Sequence, residues 1–145
     1  MICLLQRVTQ AKVVVAGETL GQIEHGLMVL VGFQKKDQPE QLQKMCHKLL
    51  HYRVFSDDAD KMNLNIQQVK GNLLLVPQFT LAADTQKGLR PSFSHAAEPK
   101  IAQQLFEQFV TQITQTYQKP QTGQFGADMQ VTLTNDGPVT FWLEV

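Results

Sequence analysis

Apolar positions along this chain follow one rhythm at its two ends and another in between. Near the start they crowd into the runs Ile2–Val8, Lys12–Ala16 and Leu27–Phe33, rich in Val, Ile and Leu. Gly17-Glu18 and His25-Gly26 interrupt those runs, so they read as strands joined by turns. From Pro39 the period changes. Leu42, Met45, Cys46, Leu49 and Leu50 recur at i, i+3, i+4, i+7 and i+8, one face of a helix over 39–52 that starts near Pro39. Asp57-Asp58-Ala59-Asp60 is a polar turn, and Asn72–Leu81 is a strongly apolar strand. Residues 82–100 have no period and form a long loop. Ile101, Leu105, Phe106, Phe109, Val110, Ile113 and Tyr117 mark a second amphipathic helix, closed by Pro120. Alternation then returns in Met129, Val131 and Leu133, and again in Val139, Phe141, Leu143 and Val145. The two runs flank Asn135-Asp136-Gly137-Pro138, which predicts a terminal hairpin.

About seven strands and two main amphipathic helices make this an α+β chain, with mostly antiparallel sheet in a barrel-like core. Its 145 residues suit one domain over 1–145. No internal repeat or linker divides it. Thirteen Lys+Arg balance thirteen Asp+Glu. That neutrality argues against a protein that coats nucleic acid by charge, and equally against a polybasic membrane anchor. The start lacks the marks of a signal peptide. The longest apolar stretch, Leu27–Phe33, is far short of the roughly 20 residues a membrane helix needs. Cys3 and Cys46 both fall on apolar positions, so they read as buried, reduced thiols of a cytoplasmic protein.

Chemistry has few candidate carriers. Along Leu73–Leu81, alternation puts Gln78 and Thr80 on one face, at the end of the strand and beside the long loop. They are either a strand end meeting solvent or hydrogen-bonding groups at the mouth of a pocket. Pro77 removes a ladder donor and suggests an edge or a bulge. Asp136-Gly137 is an ordinary turn signal, and by pattern alone a plain turn is the simpler reading. Arg7 lies in a strand with two apolar faces, so it must be satisfied by hydrogen bonds or escape to an edge, and the edge is the favoured reading. The loop 82–100 holds Lys87, Arg90 and Lys100 against Asp84 and Glu98, a weak basic bias. His47 and His51 lack a third ligand, so no metal is expected. No phosphate-binding Gly-rich loop or dinucleotide fingerprint is present, and no cofactor is expected. Thr80 has no base beside it in sequence, and an unassisted hydroxyl is a weak nucleophile.

Several segments, taken in order, resemble one family. They are Gln6-Arg7-Val8, Arg53-Val54-Phe55-Ser56-Asp57, Lys61-Met62-Asn63-Leu64-Asn65, Gln78-Phe79-Thr80-Leu81, Gly88-Leu89-Arg90-Pro91-Ser92-Phe93 and Asn135-Asp136-Gly137-Pro138-Val139-Thr140. Their order and spacing are similar to bacterial-type D-aminoacyl-tRNA deacylases over nearly the whole chain. The resemblance implies hydrolysis of the ester between a D-amino acid, or glycine mischarged on alanine tRNA, and the tRNA 3′ end. It implies a cytoplasmic homodimer that needs no metal. Gln78, Phe79 and Thr80 match the family's catalytic strand end. Gly137 and Pro138 match a cis dipeptide that reaches into the partner subunit's site and excludes L side chains, and Arg7 resembles the arginine that braces it. Phe125 and Met129 lie where the family holds the terminal adenosine. Pro77 departs from the usual Ser, so a serine hydroxyl there cannot be an essential nucleophile.

A site this poor in titratable groups suggests help from the RNA. The terminal 2′-OH would position or activate water, and backbone N–H groups near Phe79 and Thr80 would stabilise the oxyanion. The alternative is a non-catalytic module that binds the aminoacyl end of tRNA. Neutral charge fits capture of a single 3′ terminus with a shallow salt dependence, helped locally by Lys87 and Arg90.

Overall fold

The computed structural model describes residues 1–145. In chain order the elements are strands β1 (Ile2–Val15), β2 (Glu18–Ile23) and β3 (Gly26–Gly32), and helix α1 (Pro39–His51). Strands β4 (Phe55–Ser56), β5 (Met62–Leu64) and β6 (Asn72–Pro77) follow. A 3-10 turn (Phe79–Ala82), helix α2 (Pro99–Thr116), β7 (Gln121–Thr122) and β8 (Gln130–Glu144) complete the chain.

The main sheet runs β2-β1-β3-β6-β7, with β8 on the other side of β1. Pairs β1–β2, β1–β3 and β1–β8 are antiparallel, while β3–β6 and β6–β7 are parallel. The two parallel joins follow from the helices, each of which carries the chain back across one face of the sheet. The sheet curls until β2 approaches β7. A Cβ on Gly21 would stand 3.2 Å from Gln121 Cβ and from the Thr122 carbonyl, so the absence of a side chain there eases this near-closure.

Each central strand is apolar on both faces because each face has its own core. Leu27, Val29, Val31, Leu73 and Leu75 point to the helices, where Leu42, Met45, Leu49, Phe106 and Phe109 meet them. Met28, Leu74 and Val76 point into the barrel with Val8, Ala11, Val13 and Ile23. The face assignment of β1 inverts along its length. Cys3 and Leu5 face the helices, yet Ala11 and Val13 face the barrel. The extra residue sits where the β1–β8 register slips, between Val8 and Gln10.

Three expectations change. Ile2–Val8 and Lys12–Ala16 are parts of one strand, because the bulge carries pairing through Thr9 and Gln10. The terminal hairpin is absent. Residues 130–144 form one strand antiparallel to β1 throughout, from Val14↔Gln130 to Ile2↔Glu144. The apolar strand ends at Pro77, and the chain then turns into 3-10 geometry, so strict alternation stops before Gln78.

The start of the chain is tied down by charge. The Met1 ammonium donates to Asp37 Oδ1 at 2.6 Å, to Gln34 Oε1 and to the Val145 carbonyl, and both charged groups are fully buried. Burial pushes the Cys3 and Cys46 thiols up, away from reactive thiolate, and neither is in a disulfide. No helix is long and apolar enough to cross a membrane.

Candidate active site

The register of β8 builds the first feature. Gln6 pairs with Thr140 and Val8 with Asn135, so the four residues Asp136–Val139 stand opposite Arg7 alone. They must bow out of the sheet. Gly137-Pro138 is the exposed tip, and its peptide bond is cis. Gly137 has φ +151°, and a Cβ there would lie 2.6 Å from Val139 Cγ2, so no other residue fits.

Side chains fasten the base of this bulge. Arg7 Nε donates to the Asp136 carbonyl at 2.9 Å, and Nη1 donates to the Val54 carbonyl at 2.8 Å. The Asp136 carboxylate also pairs with Arg7 Nε at 3.2 Å. Arg7 therefore does not escape to an edge. β1 is flanked by β3 and β8, and the guanidinium is satisfied in place. The Asn135 amide spans the bulge: Oδ1 accepts the Val139 N–H at 2.6 Å, and Nδ2 donates to the Val139 carbonyl and to Thr140 Oγ1. Gln6 Nε2 donates to the same Thr140 hydroxyl. These roles of Asn135, Thr140 and Gln6 were not foreseen. The only local hint was an Asn just before a Gly-Pro turn, a residue type whose side chain readily bonds nearby backbone.

The second feature is the turn after β6. The Gln78 N–H donates to the Val31 carbonyl at 2.7 Å, the Leu81 N–H to Gln78 and the Ala83 N–H to Thr80. Phe79 and Thr80 open the turn, where backbone N–H groups lack intrahelical acceptors. No side chain accepts from either. Gln78 Nε2 donates to Thr80 Oγ1 at 2.6 Å. Phe79 is 56% exposed, with its ring centroid 5.0 Å from that of Phe93. No His, Lys or carboxylate hydrogen-bonds Thr80. Pro77 is buried as the last residue of β6, beyond the reach of the two-residue β7.

Met129 is near this end: its sulfur accepts from the Gln124 N–H, and a Cβ on Gly123 would lie 2.8 Å from that sulfur and 3.4 Å from Pro77 Cδ. Phe125 is in a different layer, packed on the helix side of the sheet, while Met129 packs toward the barrel. Lys87 and Arg90 are exposed in the loop that the bridge Asp84↔Ser92 holds to this turn. His47 and His51 stack, and no group of three His, Cys, Asp or Glu side chains is placed to hold a metal.

Within one chain the two features are far apart. The bulge is level with Arg7 and Leu27, while Gln78 is level with Gly32 and Ile2. Five residues along β1 and three strand spacings across put them on the order of 20 Å apart. Between them lies a cross-strand row on the face away from the helices, Trp142–Leu4–Leu30. Trp142 is 50% exposed, and Leu4 and Leu30 are half-buried.

The family model and the curated relatives name one family. The family model described as D-Tyr-tRNA(Tyr) deacylase matches residues 4–144. A D-aminoacyl-tRNA deacylase of Hydrogenovibrio crunogenus is 66% identical over 148 residues, covering 99% of each chain. One of Proteus mirabilis is 61% identical over 145 residues, covering 100% of each. Among solved structures, a c-Myc DNA unwinding element binding protein matches with TM-score 0.96 and 38% identity, covering 100% of this chain and 99% of its own. A probable eukaryotic D-amino acid tRNA deacylase matches with TM-score 0.88 at 17% identity, covering 99% and 98%, a likeness of fold.

Proposed function

This chain belongs to the D-Tyr-tRNA(Tyr) deacylase family, and from that membership we propose that it hydrolyses the ester linking a D-amino acid to the 3′ end of tRNA. Glycine mischarged on alanine tRNA is a second substrate, since it has no side chain to exclude. The enzyme acts in the cytoplasm as a homodimer. The turn Gln78-Phe79-Thr80 of one copy meets the ester, and Gly137-Pro138 of the other copy meets the amino group.

The observation that carries this reading is the distance between the two features. A single aminoacyl ester cannot touch both within one chain. The row Trp142–Leu4–Leu30 lies between them, and its partial exposure invites a second copy. A two-fold interface on that row places the bulge of each protomer toward the turn of the other.

The chemistry then divides simply. No base adjoins Thr80, so the terminal 2′-OH of the RNA positions or activates the attacking water. The N–H groups of Phe79 and Thr80 donate to the developing oxyanion, where one donor is worth on the order of 10²–10³ in rate. The bulge selects by clash. D and L esters differ only in hand, and rejection of L requires a group in its way. Met129 and, on the neighbouring layer, Phe125 flank the terminal adenosine.

Parallel deacylation of D-tyrosyl-tRNA and L-tyrosyl-tRNA tests the reading. We expect rapid release of D-tyrosine with the L ester intact, and loss of activity on a 2′-deoxy terminal adenosine. Binding without release would identify a module that only shelters the aminoacyl end. Rapid cleavage of the L ester would remove the steric mechanism.

A further inference from the structure

The ester end of a tRNA cannot enter the site without its phosphates leaving by some route. Two depressions beside the turn outline one. The first, of about 430 Å³, is walled by Leu81, Ala82, Asp84 and Gln86, borders Trp142 of the proposed two-fold interface, and reaches Gln34 and His95. The second, of about 320 Å³, begins at those same two residues and ends at Lys35 and Lys36. The two adjoin at Gln34 and His95, and together they mark a track from the turn to two adjacent lysines.

Its floor is held by backbone. The Lys35 N–H donates to the His95 carbonyl at 3.0 Å, the Ala97 N–H donates to the Phe33 carbonyl at 3.0 Å, and Gln34 bridges Ala96. The charge along it is graded. Asp84 and Glu144 stand at the turn end. At the far end Lys35 and Lys36 are exposed and in no ion pair. The acid next to them, Asp37, is buried against the Met1 ammonium and also accepts the Gln34 N–H at 2.7 Å, so it does not offset them.

Resting on the deacylase reading above, we propose that this groove takes the single-stranded 3′ end of the substrate RNA, with Lys35 and Lys36 as the counter-charges for its backbone phosphates. Gln34 and His95 line the middle of the track with neutral hydrogen-bonding groups. Two phosphate contacts to a single strand would keep the salt dependence shallow, at roughly 0.7 in slope for each.

The test is the double substitution Lys35→Glu/Lys36→Glu in the full chain, beside Lys44→Glu/Lys70→Glu, which changes net charge equally elsewhere. Binding of uncharged, fluorescently labelled tRNA is measured between 50 and 200 mM salt. We expect the groove variant to bind about tenfold more weakly at low salt, with its log–log salt slope flattened by about 1.4, two single-strand contacts at roughly 0.7 each. The control pair should leave the slope unchanged. In kinetics, KM for D-tyrosyl-tRNA should rise while hydrolysis of D-tyrosyl-adenosine, which has no phosphate, stays at the wild-type rate. Equal slopes in both variants, or an equal loss on both esters, would overturn the proposal. If the wild-type chain cleaves neither ester, the deacylase reading fails, and the tRNA-binding slopes still decide whether the groove holds RNA.

Discussion

The bulge at Asp136–Val139 and the turn at Phe79–Ala82 are built on opposite plans. The bulge is over-determined by side chains. Arg7, Asn135, Thr140 and Gln6 all converge on its base, leaving only Gly137 and Pro138 at the surface. The turn is held mainly by backbone bonds, with one side-chain bond from Gln78 to Thr80, and Phe79 and Thr80 remain exposed. The difference matches the two tasks proposed for them. A group that rejects by clash must not yield. A group that stabilises a transition state must present donors to it, and backbone donors need no side chain to hold them.

The largest expected effect separates the two plans at the turn. Thr80→Pro deletes a backbone donor and should lower single-turnover deacylation by about 10²–10³. Thr80→Ala keeps that donor and should cost about tenfold or less, through loss of the Gln78 bond. Complete loss in Thr80→Ala, with binding of a D-aminoacyl-tRNA analogue intact, would make the hydroxyl a nucleophile. At the bulge, Gly137→Ala meets Val139 and should displace the tip, lowering D-ester hydrolysis by about 10².

Arg7→Ala attacks the clamp rather than the tip. It leaves the Val54 and Asp136 carbonyls without their charged donor and should cost about 2–3 kcal/mol of stability, read as a shift in the urea midpoint. Cleavage of the L ester should rise in the same variant. A stable Arg7→Ala protein that keeps full selectivity would show that the bulge stands without its clamp.

These two regions were unequally legible in the sequence. Periodicity placed both helices and most strands, because Leu42–Leu50 and Leu105–Ile113 each line a single buried face, although Ile101, expected on that face, is exposed. Gln78 and Thr80 also surfaced as polar groups ending an apolar strand. The bulge did not. Asn-Asp-Gly-Pro carries the local chemistry of a hairpin turn, and only pairing with β1, more than a hundred residues away, shows that the strand continues past it. Arg7 was misjudged for the same reason, since its acceptors at Val54 and Asp136 are remote in sequence. The family resemblance supplied the role proposed for Gly137-Pro138; local pattern did not.

The smallest effect concerns a turn outside both regions. Asp57 accepts from the Asn63 side chain and from the Lys61 and Ala59 N–H groups, which hold its carboxyl below its ordinary value of 3.8. Because the folded-state value is depressed, this contribution is present above the ordinary value and fades as pH falls through the lower one. Asn63→Ala should therefore be slightly less stable than wild type at pH 7, and the gap should narrow on acidification below 3.8. Selectivity should not change in that variant.

Most direct for the central claim is complementation between two inactive chains. Gly137→Ala lacks a working bulge and Thr80→Pro lacks a working turn, so each homodimer should be inactive on D-tyrosyl-tRNA. Co-expressed and purified through two tags, the heterodimer contains one site with an intact turn and an intact bulge. Deacylation should return to about half the wild-type rate per dimer, as two-fold symmetry requires for one restored site of two. A stable heterodimer that remains inactive would contradict a site shared between copies.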